Sequence, residues 1–355
     1  MRLLLVTNDF PPKPGGIQMY LKNLLDAYDG ETLVVAPSDE RVDAPETGVV
    51  RGGRPYMLPD RSTRQLVRDA GKAFKPDAIL FGAPHPLPWM GPWLREELGV
   101  PFGILSHGAE ITIPGSVPGA RQALGRALAA ADVRFAVSRF TARKVEALSH
   151  RPVEFLGAGV EVDTFTPPEV APGNSVPVVG CVSRFVPRKG QDRLLRAVAS
   201  LDRDVEVLFV GTGRTEDGIR KLANELGVTA RFEVDVAWSE LPGLYQSMDV
   251  FCMPCKSRWG GLEVEGLGLV FLEAASTGIP VLAGDSGGSP ETVIPGETGF
   301  VVSSVSGIQE GLELLLNDPA RAVQMGQKGR EFVMEEFTWE RVVERLHGGF
   351  APHIG

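Results

Sequence analysis

Short, continuously apolar runs recur along this chain, separated by longer stretches in which apolar residues repeat at helical spacing. A strand buried on both faces has no solvent side and reads as an unbroken apolar run, whereas a half-exposed strand alternates. Leu3–Val6, Thr32–Val35, Ala78–Phe81, Pro101–Leu105 and Val133–Val137 are runs of the first kind and predict a parallel sheet with helical crossovers. A second series opens at Val178 and continues through Val205–Val210, Arg231–Glu233, Val250–Met253 and Val281–Ala283. The whole therefore predicts an α/β protein of two doubly wound domains. Phe165 to Pro177 is rich in Pro and Gly and lacks periodicity, as a linker would be, so the expected domains are residues 1–168 and 174–337.

A chain of 355 residues with 43% hydrophobic content has ample core for two domains. No apolar run is long enough to span a bilayer, and the opening Met1 to Thr7 is too short for a signal peptide and reads as a first strand, which makes the cytosol the expected location. The net charge of -9 argues against a general nucleic-acid binder. Residues 1–170 carry 19 basic and 20 acidic side chains, so the acidic excess falls on the second half. Cys181, Cys252 and Cys255 are too few for a disulfide framework, and no second pair completes a zinc site with Cys252 and Cys255. We expect them to be structural.

The candidate chemistry lies where strands end. After the first strand, a proline-held loop leads to Gly15 and Gly16, which open a helix and can bring backbone N–H groups close to a phosphate or a sugar. This is not the GxGxxG pattern of a dinucleotide site. In the second half, Ser183 to Gly190 follows a strand and carries Arg184, Arg188 and Lys189; Arg184 offers a planar fork and Lys189 a mobile point charge, a pair suited to a diphosphate. Gly211 and Gly213 offer a second close approach of backbone. Glu265 and Glu273 stand at the two ends of a glycine-loosened helix start, where a polyhydroxylated ligand could satisfy both, or where one is a solvated terminal charge and the other a paired helix residue. His107 follows a strand and could equally be a satisfied strand-end residue. Arg61, Arg64, Arg68, Lys72 and Lys75 recur every three or four positions and give one helix a cationic face. Trp89, Met90 and Trp93 could add an interfacial anchor beside it.

The ordered set of Gly15-Gly16, His107 to Glu110, Ser183-Arg184 with Arg188-Lys189-Gly190, Gly211 to Gly213, and Glu265 followed by Glu273 resembles the retaining glycosyltransferases of family 4, which have the GT-B architecture: two Rossmann-like domains with a cleft between them. Within that family the opening loop and the glutamate region look most like the actinobacterial mannosyltransferases that use GDP-mannose to extend phosphatidylinositol monomannoside. The resemblance implies that Glu273 holds the ribose hydroxyls, that Glu265 and the backbone of Gly266, Leu267 and Gly268 receive the sugar hydroxyls, and that Arg184 and Lys189 grip the diphosphate, with Gly211 and Gly213 nearby. It further implies that Gly16 contacts the phosphate or the acceptor, that His107 lies near the reacting end of the donor sugar, that residues 339–350 return to the first domain, and that neither cofactor nor catalytic metal is needed. An anionic inositol phospholipid would then be the acceptor, met by a peripheral enzyme at the inner face of the plasma membrane through the cationic helix. No protein partner is inferable. Two alternatives stay open: transfer from a UDP-sugar to a soluble acceptor, and non-catalytic binding of a sugar or nucleotide.

Overall fold

The computed structural model describes residues 1–170 and 173–354; Ala171 and Pro172, inside the expected linker, lie outside the described residues. The chain divides into two compact units, Met1–Gly159 with Trp339–Gly355 and Val160–Thr338. The first division falls ahead of the expected linker, because Val160 bridges to Thr338 and Phe165 is buried against Tyr245. Arg330 closes this junction by donating to the carbonyls of Phe165 at 3.0 Å and Ser276 at 2.5 Å.

The first unit is built on a seven-stranded sheet: β1 (Leu3–Val6), β2 (Thr32–Ala36), β3 (Val49–Arg51), β4 (Ala78–Phe81), β5 (Phe102–Ser106), β6 (Val133–Ala136) and β7 (Glu154–Phe155), in the order β3-β2-β1-β4-β5-β6-β7. Every pairing is parallel. The apolar runs form its interior strands, buried throughout except at Thr32 and Leu33, where β2 begins, while β3 and β7 are short edges that the apolar pattern does not announce. The closing helix Trp339–Phe350 belongs to this unit. It packs with almost no clearance: a Cβ on Gly103 would lie 2.7 Å from the Phe350 ring, and one on Gly349 would lie 2.4 Å from Phe135.

The second unit carries six parallel strands, β8 (Val178–Val182), β9 (Glu206–Val210), β10 (Ala230–Glu233), β11 (Val250–Met253), β12 (Val281–Gly284) and β13 (Gly299–Val302), in the order β10-β9-β8-β11-β12-β13. Both orders reverse direction once, between β1 and β4 and between β8 and β11. At such a reversal the loops leaving adjacent strands turn to opposite faces of the sheet and open a crevice at the carboxyl ends. Cys181, Cys252 and Cys255 are buried free thiols in the second unit.

Candidate active site

The reversal in the second unit brings together the loop after β8 and the loop after β11. The first makes a tight turn, Pro187–Lys189, and ends on Gly190, whose φ of 77° a side chain rarely tolerates and whose Cβ would lie 2.1 Å from the Pro254 carbonyl oxygen. The two loops are thus in backbone contact, reinforced by the N–H of Lys256 donating to the Arg188 carbonyl at 2.7 Å. A third loop, after β12, buttresses them. Gly288 N–H donates to the Glu265 carbonyl at 3.0 Å, Glu265 N–H donates to Ser286 Oγ at 3.2 Å, and a Cβ on Gly287 would lie 2.0 Å from the Glu265 carbonyl oxygen.

This scaffold fixes a cluster of three charges. Glu265 is 8% exposed and Lys189 7%, and Lys189 Nζ lies 2.7 Å from Glu265 Oε2. Arg188 Nη1 bonds to the same oxygen. Burial opposes ionisation of Glu265, but Lys189 and then Arg188 outweigh it and hold the carboxyl below its ordinary value. In the ligand-free structure Lys189 is thus buried and paired, one member of an ion triad with Arg188 and Glu265. Arg184 differs: it is exposed, and its guanidinium makes no hydrogen bond or ion pair among the described residues. Arg188 was visible in the sequence as a loop cation, with no signal to join it to Glu265.

Glu273 sits in the helix Leu269–Ser276, whose N-cap Gly268 offers no side chain to the free N–H groups of the first turn. Leu267 beside it is buried. The Glu273 carboxylate accepts a hydrogen bond of 2.7 Å from the Tyr245 hydroxyl. Burial pushes its pKa up to about 7; the Tyr245 bond works in the other direction and the charge of Glu161 adds to the rise. Tyr245, itself fully buried, had no sequence signal beyond being an aromatic residue before a strand. Gly211 and Gly213 make close contacts within the protein: their Cβ atoms would lie 2.4 Å from the Ser183 carbonyl and 2.5 Å from that of Phe185. They set the seat of the loop that carries Arg184.

In the first unit, Gly15 caps the helix Gly16–Asp26, which has no side-chain cap and no acidic residue in its first turn; both glycines are exposed. Gln18 steadies this turn by donating to Asp9 at 2.8 Å. His107 follows β5, and its Nε2 lies 3.0 Å from the Gly82 carbonyl. A carbonyl only accepts, so Nε2 carries a proton and donates it to Gly82. Tyr20 packs edge-on to that ring at 5.2 Å, and Glu110 accepts from the N–H groups of His107 and Gly108.

The cationic residues lie on the helix Arg61–Phe74, with Lys75 at its left-handed end. Arg68 pairs with Asp69 at 3.1 Å and Lys72 with Glu97 at 3.5 Å, while Arg64 lies 5.8 Å from the Trp93 ring centre. Arg61 and Lys75 are exposed and make no ion pair among the described residues. The expected aromatic anchor is reduced to one residue: Trp89 is 45% exposed, Met90 is wholly buried, and Trp93 packs against the core. Among the described residues no group of three or more His, Cys, Asp or Glu is placed to hold a metal ion, and no helix is long and apolar enough to cross a membrane.

Residues 14–164 match the family described as Glycosyltransferase Family 4, and residues 163–332 match Glycosyl transferases group 1. The chain is 37% identical to the GDP-mannose-dependent monoacylated alpha-(1-6)-phosphatidylinositol monomannoside mannosyltransferase of Corynebacterium glutamicum, over 97% of this chain and 96% of that one. It is 38% identical to the GDP-mannose-dependent alpha-(1-6)-phosphatidylinositol monomannoside mannosyltransferase of Mycobacterium tuberculosis, over 97% of each. Among solved structures, sucrose-phosphate synthase from Thermosynechococcus elongatus superposes with a TM-score of 0.80 at 21% identity, over 99% of this chain and 98% of that one. Anabaena HepE in complex with UDP gives 0.81 at 18%, over 99% and 100%. The chain therefore belongs to the GT-B glycosyltransferases of family 4, as a close relative of the actinobacterial phosphatidylinositol monomannoside mannosyltransferases.

Proposed function

We propose that this protein transfers mannose from GDP-mannose, with retention of configuration, to the mannose of a phosphatidylinositol monomannoside, forming an α-1,6 linkage. The observation that carries this reading is identity of 37–38% over nearly the full length of relatives that bear that activity in their names. The chemistry of the second unit supports it, since the buried Lys189, the exposed Arg184 and the carboxylates of Glu265 and Glu273 are the groups a nucleoside diphosphate sugar calls for.

Breaking the glycosidic bond places negative charge on the departing diphosphate and positive charge on the sugar carbon. Arg184 and Lys189 offset the first, and because that charge grows along the reaction their effect is larger in the transition state than in the bound donor. Glu273 accepts from the ribose hydroxyls. Glu265 and the uncapped N–H groups from Gly266 to Gly268 take the sugar hydroxyls, and Gly211 and Gly213 hold the loop of Arg184 in place. Glu265 bears on the distal hydroxyls and is no nucleophile; the leaving phosphate oxygen removes the acceptor proton on the same face. His107 offers Nδ1 to the reacting end of the sugar. Gly15 and Gly16 present the open helix end to phosphate or acceptor. The enzyme works as a peripheral protein at the inner leaflet, drawn there by the cationic helix.

Incubation with GDP-mannose and phosphatidylinositol monomannoside tests the reading. Release of GDP should require both, with the dimannosylated lipid as product. Transfer only from a UDP-sugar, or only to a water-soluble acceptor, would overturn it, and binding without turnover would reduce the protein to a receptor.

A further inference from the structure

Two cations converge on a single oxygen of Glu265. Arg188 and Lys189 both bond to Oε2, and Oε1 makes no hydrogen bond among the described residues. The carboxylate cannot follow a moving partner, because its own backbone is held through Ser286 and Gly288. If Lys189 turned to a diphosphate with no other cation at hand, a buried carboxylate would be left unpaired, which is strongly unfavourable.

We propose that Arg188 is the positioning residue of Glu265: it keeps that carboxylate paired and oriented for the donor hexose while Lys189 turns to the diphosphate. The proposal rests on the glycosyltransferase reading of the same site. The side-chain chemistries suit this division. A lysine ammonium on a flexible stem can swing between two anions, whereas the arginine fork holds its partner in a fixed geometry. The Arg188 backbone is anchored through its carbonyl to Lys256, 2.7 Å away, so the fork stays in place as the lysine tip moves. Free of ligand, Arg184, Arg188 and Lys189 against Glu265 leave two surplus positive charges, matching the two negative charges of a nucleoside diphosphate sugar. Among the described residues the Cys255 thiol, neutral because burial pushes it up to about 11, and the hydroxyl of Ser286 also lie beside Glu265.

The consequence is a proton. With glutamine at position 188, Glu265 and the diphosphate compete for Lys189, and the carboxyl relieves the conflict by taking up a proton as donor binds. Calorimetric titration of GDP-mannose and of GDP, in two buffers of different ionisation enthalpy between about pH 6 and 8, reads this directly. Arg188→Gln should weaken GDP-mannose about tenfold at the alkaline end, weaken GDP by a smaller factor because GDP draws Lys189 away but has no hexose for Glu265 to meet, and add uptake of up to about one proton with either ligand that is absent from the parent. Arg188→Lys should restore most of the parental behaviour. Glu265→Gln and the double variant Glu265→Gln/Arg188→Gln should bind GDP-mannose equally; this comparison holds even if Arg188→Gln alone does not fold. Equal loss of GDP and GDP-mannose with no added proton would place Arg188 on the phosphate and overturn the proposal, as would parental behaviour of Arg188→Gln or a further loss in the double variant. A parent that binds neither ligand would instead overturn the donor reading itself.

Discussion

Glu273 is a carboxylate poised near neutrality beside a hydroxyl. Its ionised form is the one that accepts from a ribose diol, so donor affinity should rise with pH through about 7. Tyr245 favours that form by donating to it, and Tyr245→Phe should move the midpoint upward by as much as about one unit. Calorimetry across pH measures both, and a pH-independent affinity in the parent would separate Glu273 from the ribose. The same shift bears on folding. A carboxyl whose folded pKa is raised above its ordinary 4.5 contributes stability that is fully present below that value and is lost as pH rises through about 7. Urea midpoints of the ligand-free protein should fall over this window, and Glu273→Gln should flatten the slope. The carboxylates themselves were legible because their spacing in a glycine-loosened helix start is unusual. Tyr245 and Arg188 were not: the bonds that give them meaning join residues 28 and 77 positions apart.

At the scale of elements, the helix Arg61–Phe74 has its row of cations, yet the row is uneven. Arg68 and Lys72 are partly neutralised by Asp69 and Glu97, whereas Arg61 and Lys75 at the two ends are uncommitted. Each cation free to approach an anionic surface contributes about 1 kcal/mol, screened by salt. Arg61→Glu with Lys75→Glu should therefore release the protein from anionic vesicles at lower salt than Arg68→Glu with Lys72→Glu; co-sedimentation that ranks the pairs the other way would move the contact elsewhere. The closing helix yields a stability test. Gly349→Val forces a side chain against Phe135, where even a Cβ would lie 2.4 Å from the ring, and should cost about 1–3 kcal/mol by overpacking. Thermal melting at pH 5 and 8 measures it.

For the whole molecule, the interior strands were legible because burial on both faces writes an unbroken apolar run. The edges β3 and β7 were not, since a strand with one neighbour needs no such run and neither is longer than three residues; the edge β13 does carry one, Gly299–Val302, and was missed. The junction near Phe165 was misread for a different reason: proline-rich composition marks a chain without regular structure, but not where packing ends. Phe165 is 2% exposed and its carbonyl is held by Arg330 and Ser276. Binding of GDP alone should slow amide exchange in residues 183–190 and 254–273 while leaving the strand edges unchanged; exchange unaffected there would displace the nucleotide from this site.

The glycine contacts that hold the three loops of the second unit together bear on how this enzyme can change. Where one backbone rests on another, there is no side chain left to trim or enlarge, and a substitution at Gly190 or Gly287 is an all-or-none event. Adaptation to a different sugar or base has to proceed around these fixed points. In a laboratory selection for a new donor, surviving variants should carry their changes at the exposed tip of the Arg258 to Glu263 hairpin, Trp259 and Gly260, or near Arg214, with Gly190 and Gly287 left untouched in every lineage.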